Sequence, residues 1–480
     1  MRENPVLILE RGSRFLTERL FLLEAQLRPL ADGKVPLLLA ESDPIRVWAT
    51  LLTCQRLGIP LFLGNPTWGE REWGQALQQM GCGWSWRRGQ LQPHPSASVN
   101  QPLRELLKAL STPDFPPICI PTGGSSGHLK WAIHSWATLA ASAKAHQQHF
   151  AVGPVHSYCV LPLYHVSGLM QAVRSWLSGG QWVLWNWKSL AGAERWETPL
   201  PGSFLSLVPT QLQRLLLQAH PAVLEVLRQF RAVLVGGGPT WPSLREQARQ
   251  QQIPVALTYG MTETASQVCT SFPEAFWGGD DSLGRPLPHA KLQIQRTARD
   301  PVGPIHLWAE SLALGYYPHL WNREQGWIPG DWGYFDEQGS LHWLGRADDL
   351  ILTGGEKVLA AEVEGEIRAT GWVEDVCVLG LPDAEWGQQV VAIIVPAPGI
   401  PSDPGDLKHQ LNRHLSAQLS GYKRPKQWLC CDGIPRTPQG KVNRPHLQQW
   451  AMQALGIPVS ANFKTPEPRL SAKVSGDKYD

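Results

Sequence analysis

Short runs that are apolar throughout alternate along this chain with longer stretches in which apolar residues recur every three or four positions. Pro36-Leu37-Leu38-Leu39-Ala40 has the length of a strand. Residues 43 to 57 carry a helical period, opened by Asp43-Pro44 and closed by Gly58, and residues 59 to 63 form a second apolar run. Strand, helix, strand at this spacing predicts a parallel βαβ unit. The pattern returns downstream. Strands are predicted over 157–161, 182–185, 231–235 and 255–259, with helices over 169–177, 209–219 and 241–251 between them. The strand ending at Val235 runs into Gly236-Gly237-Gly238-Pro239. This is an α/β architecture.

The texture changes after about residue 280. From Ser282 to Leu344 the segments are short and alternating, with Asp336-Glu337-Gln338-Gly339 as a turn between Gly333-Tyr334-Phe335 and Leu341-His342-Trp343. Antiparallel strands are expected there. A smaller α+β unit follows, with helices predicted over 362–369 and 407–419 and strands over 376–379 and 390–395. The expected division is an N-terminal domain over 1–346, a C-terminal domain over 347–456 and a polar tail over 457–480, expected to be disordered. No internal repeat is seen.

Length and charge narrow the functional classes. A chain of 480 residues suits about three domains or subdomains. Lys and Arg number 43 against 41 Asp and Glu, for a formal charge of +2, so no basic face marks a nucleic-acid partner. The 8 cysteines are scattered, without a C-x-x-C pair, and read as buried small hydrophobes in a reducing compartment. The first residues lack a signal-peptide pattern, and no apolar stretch reaches about 18 residues, so a soluble cytoplasmic protein without a membrane span is expected. The 23 tryptophans read as core and surface filler. Oligomeric state is not legible.

The first candidate chemistry is Pro121-Thr122-Gly123-Gly124-Ser125-Ser126-Gly127-His128-Leu129-Lys130, which follows the apolar Pro117-Ile118-Cys119-Ile120. It is neither a Walker A loop nor a Rossmann fingerprint, because Lys130 is followed by Trp131 and no acidic residue is placed for a ribose. Glycines here permit close backbone approach, and the N–H groups, hydroxyls and Lys130 suit a polyphosphate. A flexible surface turn has the same composition, so both readings stand on this segment alone.

Its company decides between them. Thr258-Tyr259-Gly260-Met261-Thr262-Glu263-Thr264 follows a predicted strand, the usual place for a ligand in an open α/β sheet. Gly330-Asp331, Gly345-Arg346-Ala347-Asp348-Asp349 and Pro435-Arg436-Thr437-Pro438-Gln439-Gly440-Lys441-Val442-Asn443-Arg444 come in order behind it. Together, over about residues 117–444, these segments resemble the adenylate-forming ligase superfamily of acyl-CoA synthetases, peptide-synthetase adenylation domains and firefly-type luciferases. The resemblance implies a large N-terminal domain of two α/β subdomains plus a small β-barrel, and a mobile α+β C-terminal domain hinged at Asp348. It also implies adenylation of a carboxylate by ATP with release of pyrophosphate, then attack on the acyl-adenylate by the thiol of coenzyme A. The substrates supply both nucleophiles, so the protein's work is positioning and charge stabilisation.

Carried over by that resemblance, Thr122, Gly123, Gly124, Ser125, Ser126, Gly127 and Lys130 would hold the β- and γ-phosphates. Thr262 would touch the α-phosphate, and Glu263 would bind Mg²⁺, a hard cation that prefers oxygen. Gly236, Gly237, Gly238, Pro239 and Tyr259 would frame the adenine, with Gly260 and Met261 on the same nucleotide-binding segment. Asp331 would hold the ribose with help from Arg346. Lys441 would bridge the attacking carboxylate and the α-phosphate, and Gly354 and Gly355 would let pantetheine pass in the second step. Four positions depart from the usual pattern: Gly123-Gly124 replaces Ser-Gly, and Leu129, Pro329 and Ala360 replace proline, threonine and proline. None removes a carboxylate or Lys441, so an active enzyme is expected.

Leu161-Pro162-Leu163-Tyr164-His165-Val166-Ser167-Gly168-Leu169 resembles one branch, the o-succinylbenzoate–CoA ligases of menaquinone and phylloquinone biosynthesis. Gly260 to Gln267 and Ser282-Leu283-Gly284-Arg285-Pro286-Leu287 are similar to it as well, and the segments at 41–44 and 64–70 look like its cyanobacterial members. That acid carries two carboxylates, and the one that does not react needs a partner. Arg174, nine residues after His165, offers one, although an arginine snorkelling from a surface helix has the same signature. His165 would close over the ring, and Ser266, Gln267 and Thr210 are further lining residues. A CoA ligase for another aryl or fatty acid remains open, as do a luciferase-like oxygenase and a non-catalytic adenylate-binding protein.

Overall fold

Leu37–Ala40, Leu61–Gly64 and Ala232–Val235 are buried at every position because each is an interior parallel strand covered on both faces. The computed structural model describes residues 7–9, 14–32, 35–81, 83–87, 89–94, 101–110, 114–123, 129–187, 196–218, 220–295, 301–397, 399, 404–436 and 442–457. Four sheets organise them.

The first sheet runs His319–Leu320, Gly315–Tyr316, Leu129–His134, Ile118–Gly123, Leu61–Gly64, Leu37–Ala40, Gly83–Arg87, Gln90–His94. Its middle is parallel, and Ile118–Gly123 and Leu129–His134 form an antiparallel hairpin with Thr122 opposite Lys130. The second runs Leu7–Leu9, Trp182–Leu184, Ser157–Cys159, Phe204–Leu207, Ala232–Val235, Val255–Met261, Ser266–Thr270, Arg285–Pro286. Four of its neighbouring pairs are parallel, and Val255–Met261 turns back antiparallel onto Ser266–Thr270. The small antiparallel unit contains Ala290–Ile294, Gly303–Ala309, Asp331–Phe335 and Leu341–Arg346. The C-terminal sheet contains Glu356–Leu359, Leu350–Thr353, Gly387–Pro396 and Val373–Asp383, with Gln427–Cys430 parallel to Gly387–Pro396.

Local chemistry accounts for the element ends. Asp43 caps the helix Pro44–Leu57 by accepting from the Ile45 N–H at 3.0 Å, and Gly58 ends it in the left-handed region. The predicted strand at 157–161 stops at Cys159, and the following helix starts earlier than its apolar period suggested. It spans Val166–Ser178, with His165 as the extended residue before it. Helix Arg14–Asp32 is an element the pattern did not single out, because Pro29 lies inside it. Its Leu16, Leu23, Leu27 and Leu30 nonetheless share one buried face.

The turn Ala347–Asp349 carries the chain from the small antiparallel unit into the C-terminal sheet. Beyond it, helix Ala360–Ala369 lies against Pro242–Gln250, and the Arg368 guanidinium stands 5.7 Å from the Trp241 ring. Cys54, Cys119, Cys159, Cys269, Cys377 and Cys431 are buried free thiols, and burial pushes Cys159 up to about 11. Among the described residues no helix is long and apolar enough to cross a membrane. Cys82 and the expected tail from residue 458 lie outside the described residues.

Candidate active site

The parallel strands of the second sheet end at one mouth, where three glycine positions set the shape. A Cβ on Gly236 would come within 2.1 Å of the Thr258 hydroxyl, and one on Gly260 within 2.0 Å of the Ser266 carbonyl. Gly237 adopts φ +78°. Gly237, Gly238 and Pro239 are exposed at the strand end, as a ligand-facing loop requires.

Tyr259 is buried beneath this loop, and its hydroxyl donates to Asp331 Oδ2 at 2.7 Å. Burial, reinforced by the Asp331 charge, holds this phenol well above the usual range, so it stays a neutral donor. Asp331 is 4% exposed. Its pKa is raised by burial, against the opposing Tyr259 bond and the Arg346 charge. Arg346 reaches Asp331 Oδ1 at 3.4 Å and donates to the Pro329 carbonyl at 3.1 Å. The tyrosine expected beside adenine and the carboxylate expected at the ribose are therefore one hydrogen-bonded unit.

Thr262 and Glu263 lie in the single helical turn Thr262–Thr264. Next to it, Ala265 and Ser266 adopt φ +48° and +83°, two consecutive non-glycine residues in the left-handed region. The turn is held from outside. His134 Nε2 lies 2.8 Å from the Thr262 carbonyl, which can only accept, so Nε2 carries the proton, and Nδ1 lies 3.0 Å from Thr138 Oγ1. Burial lowers the His134 pKa to about 4, which keeps this tautomer neutral. Glu263 is 6% exposed and receives a hydrogen bond from the Tyr316 hydroxyl. The Lys130 ammonium stands 5.3 Å from the centroid of that tyrosine ring, which joins the hairpin of Ile118–Gly123 and Leu129–His134 to Glu263.

The residues expected to meet the acid lie on and beside helix Val166–Ser178. A Cβ on Gly168 would meet the Pro162 carbonyl at 2.2 Å, so the glycine of the His165-Val166-Ser167-Gly168 motif lets the helix start hug the preceding loop. The His165 ring packs on Tyr164 with centroids 4.6 Å apart. Arg174 is no surface arginine: it is 3% exposed. Its Nη2 donates to Ser266 Oγ at 3.1 Å, its Nε has no partner, and no carboxylate pairs with it among the described residues. Burial lowers its pKa to about 10. Near it, His146 and His289 are kept neutral by burial and then by the Arg174 charge, His289 down to about 4. Gln171 Oε1 and Ser175 Oγ on the same helix also lack partners. Gln267 is buried and donates to Thr270 Oγ1 at 2.8 Å, whereas Thr210 is exposed on the first turn of helix Pro209–Gln218 and does not join the buried set.

Gly354 and Gly355 form the two-residue tip between Leu350–Thr353 and Glu356–Leu359, at φ +58° and +82°, a turn geometry that suits glycine at both places. Gly124, Ser125, Ser126, Gly127 and Lys441 lie outside the described residues, as does the side chain of Asp348 in the Ala347–Asp349 turn.

Residues 84–317 match the model of the AMP-binding enzymes, and residues 362–441 match that family's C-terminal domain. A 2-succinylbenzoate–CoA ligase of Listeria monocytogenes is 33% identical over 341 residues, 68% of each chain. The chain belongs to the AMP-binding enzymes.

Two solved structures of o-succinylbenzoate coenzyme A synthetase from Bacillus subtilis share this family's fold. The complex with the acyl-adenylate intermediate has a TM-score of 0.74 at 24% identity and covers 92% of this chain and 98% of its own. The complex with ATP and magnesium ion has a TM-score of 0.71 at 23% identity, over 92% and 100%. As an AMP-binding enzyme, this chain presents two buried carboxylates, each held by a tyrosine, at the mouth of a parallel sheet. Among the described residues no three His, Cys, Asp or Glu side chains gather to hold a metal on their own. A lone carboxylate suits a hard cation whose other ligands are phosphate oxygens and water, so Glu263 fits Mg²⁺ held jointly with a nucleotide. Tyr316 and His134 are the contacts to Glu263 and Thr262 that the sequence reading missed. Each meets its partner from far along the chain, and neither belongs to a periodic or glycine-marked pattern.

Proposed function

We propose that this chain activates o-succinylbenzoate with ATP and transfers the acyl group to coenzyme A, as a step of phylloquinone or menaquinone synthesis. The observation that carries this reading is Arg174, a buried guanidinium whose Nε has no partner and which no carboxylate pairs with among the described residues. A substrate with a second carboxylate completes that site, and a charge-assisted bond there contributes roughly 1.5–3 kcal/mol. His165 and Gln267 would line the same acid site.

In the first step a carboxylate oxygen of the acid bonds to the α-phosphorus of ATP and pyrophosphate leaves. Lys130 and Thr122, with Gly124 to Gly127, hold the departing phosphates. Thr262 contacts the α-phosphate, and Asp331 with Arg346 holds the ribose. Mg²⁺, when bound at Glu263, offsets phosphate charge. Lys441 draws the two anions together. In the second step the sulfur of coenzyme A bonds to the acyl carbon and AMP leaves. The C-terminal domain turns about Asp348 to bring the Gly354-Gly355 tip to the site.

The test is pyrophosphate release by the purified chain with ATP, Mg²⁺ and o-succinylbenzoate. Benzoate and a medium-chain fatty acid run beside it, with and without coenzyme A, and products are weighed by mass spectrometry. Release driven by the diacid, with its CoA ester appearing, supports the reading. Release driven by another acid overturns the substrate and leaves the ligase.

A further inference from the structure

Segment 313–317 grips Glu263 twice. The Ala313 N–H donates to the Glu263 carbonyl at 2.7 Å, and the Tyr316 hydroxyl donates to its carboxylate. The same segment is tied to the second strand of the phosphate hairpin: Leu314 N–H donates to the Ile133 carbonyl at 2.7 Å, Tyr317 N–H donates to the Trp131 carbonyl at 2.9 Å, and Tyr316 pairs with Ala132. Its direction is fixed. A Cβ on Gly315 would meet the His319 carbonyl at 2.1 Å, so only glycine allows the tight return that follows. The Trp321 ring meets the Tyr316 ring edge-on, centroids 5.0 Å apart, and itself stacks on Trp327 at 5.2 Å.

The choice of a phenol has a physical consequence. A neutral O–H occupies one carboxylate lone pair and orients the group without cancelling its charge. A lysine or arginine in its place would neutralise the charge that must attract a cation. The Lys130 ammonium lies over the tyrosine ring, and no Lys130–Glu263 ion pair exists among the described residues. The ring keeps the two opposite charges apart, each available to its own ligand.

We propose that Tyr316 is a positioning residue for nucleotide activation, whose hydroxyl aims Glu263 and whose ring seats Lys130. It thereby joins the cation-binding carboxylate to the stem of the phosphate hairpin. This rests on the reading of Glu263 as the cation ligand and of Lys130 as a phosphate contact.

The test uses the full chain and three variants: Tyr316→Phe, Tyr316→Leu and Glu263→Gln. Mn²⁺ binding is read by electron paramagnetic resonance with a non-hydrolysable ATP analogue, and metal-free AMP binding by calorimetry. Tyr316→Phe keeps the ring and loses the hydroxyl. It should weaken Mn²⁺ about three- to tenfold, raise the Mg²⁺ requirement of pyrophosphate release alike, and leave AMP binding unchanged. Tyr316→Leu should in addition weaken the ATP analogue, because Lys130 loses its seat. Wild-type Mn²⁺ affinity in Tyr316→Phe, with Glu263→Gln impaired, overturns the proposal alone. Wild-type affinity in Glu263→Gln overturns the reading beneath it. Equal loss of AMP and Mn²⁺ binding in Tyr316→Phe marks general disruption and also overturns it.

Discussion

Two arginines, one in each half of the molecule, are surrounded in opposite ways. Arg444 in the C-terminal half donates to Glu364 Oε1 at 2.8 Å and to the Val378 carbonyl at 2.8 Å, and pairs with Asp349 at 3.2 Å. Burial works against its charge, but Glu364 and Asp349 outweigh it and hold its pKa above the ordinary arginine range. Arg174 in the N-terminal half donates to the Ser266 hydroxyl, has no carboxylate partner among the described residues, and is pulled down to about 10 by burial. A guanidinium whose partners are all within the chain is structural. One enclosed without an anion is held at a cost in stability, and that cost points to a ligand that brings the anion.

The contrast breaks most visibly by deleting each charge in turn. Arg444→Met leaves Glu364 buried with weaker partners, and should destabilise the C-terminal half by about 3 kcal/mol in urea unfolding. Arg174→Met removes a charge that no carboxylate pairs with among the described residues. Its unfolding midpoint should stay level or rise. Its kcat/KM for o-succinylbenzoate should fall about 10- to 100-fold, the kinetic equivalent of one charge-assisted bond.

Acid should separate the halves further. His134, His146, His149 and His289, all in the N-terminal half, have folded pKa values lowered chiefly by burial, with His134 at about 4. The unfolded histidines take up protons near pH 6.5, whereas His134, His149 and His289 in the folded chain do so only near 4, so between those values the unfolded state binds more protons and stability decreases as the pH is lowered. His134 alone should cost about 2 kcal/mol on going from pH 7 to pH 5. Urea unfolding of wild type and His134→Gln at both pH values checks this, with the variant showing the shallower dependence. The smallest effect is expected from Ser266→Ala, which removes the one described partner of Arg174. It should raise KM for the diacid a few-fold, about 1 kcal/mol, with little change in KM for ATP.

What was legible in the sequence follows physical range. Strands buried on both faces write themselves as unbroken apolar runs, as at residues 37–40 and 232–235, and close backbone approach writes itself as glycine, as at Gly168, Gly236 and Gly260. Side chains that act across the fold leave no local trace. Tyr316 reaches Glu263 over 53 residues, and His134 reaches Thr262 over 128. Arg174 lay between these cases. Its place on the helix was readable, but a buried and a snorkelling arginine share one helical pattern, and only the strand Ser266–Thr270 packed across from it separates them.

The most direct test compares kcat/KM for o-succinylbenzoate with that for an analogue carrying only its reactive carboxylate, in wild type and in Arg174→Met. The account predicts a preference for the diacid of about 10- to 100-fold in wild type that collapses to near parity in the variant, through loss on the diacid alone. A preference that survives Arg174→Met, or a wild type indifferent to the second carboxylate, would contradict it.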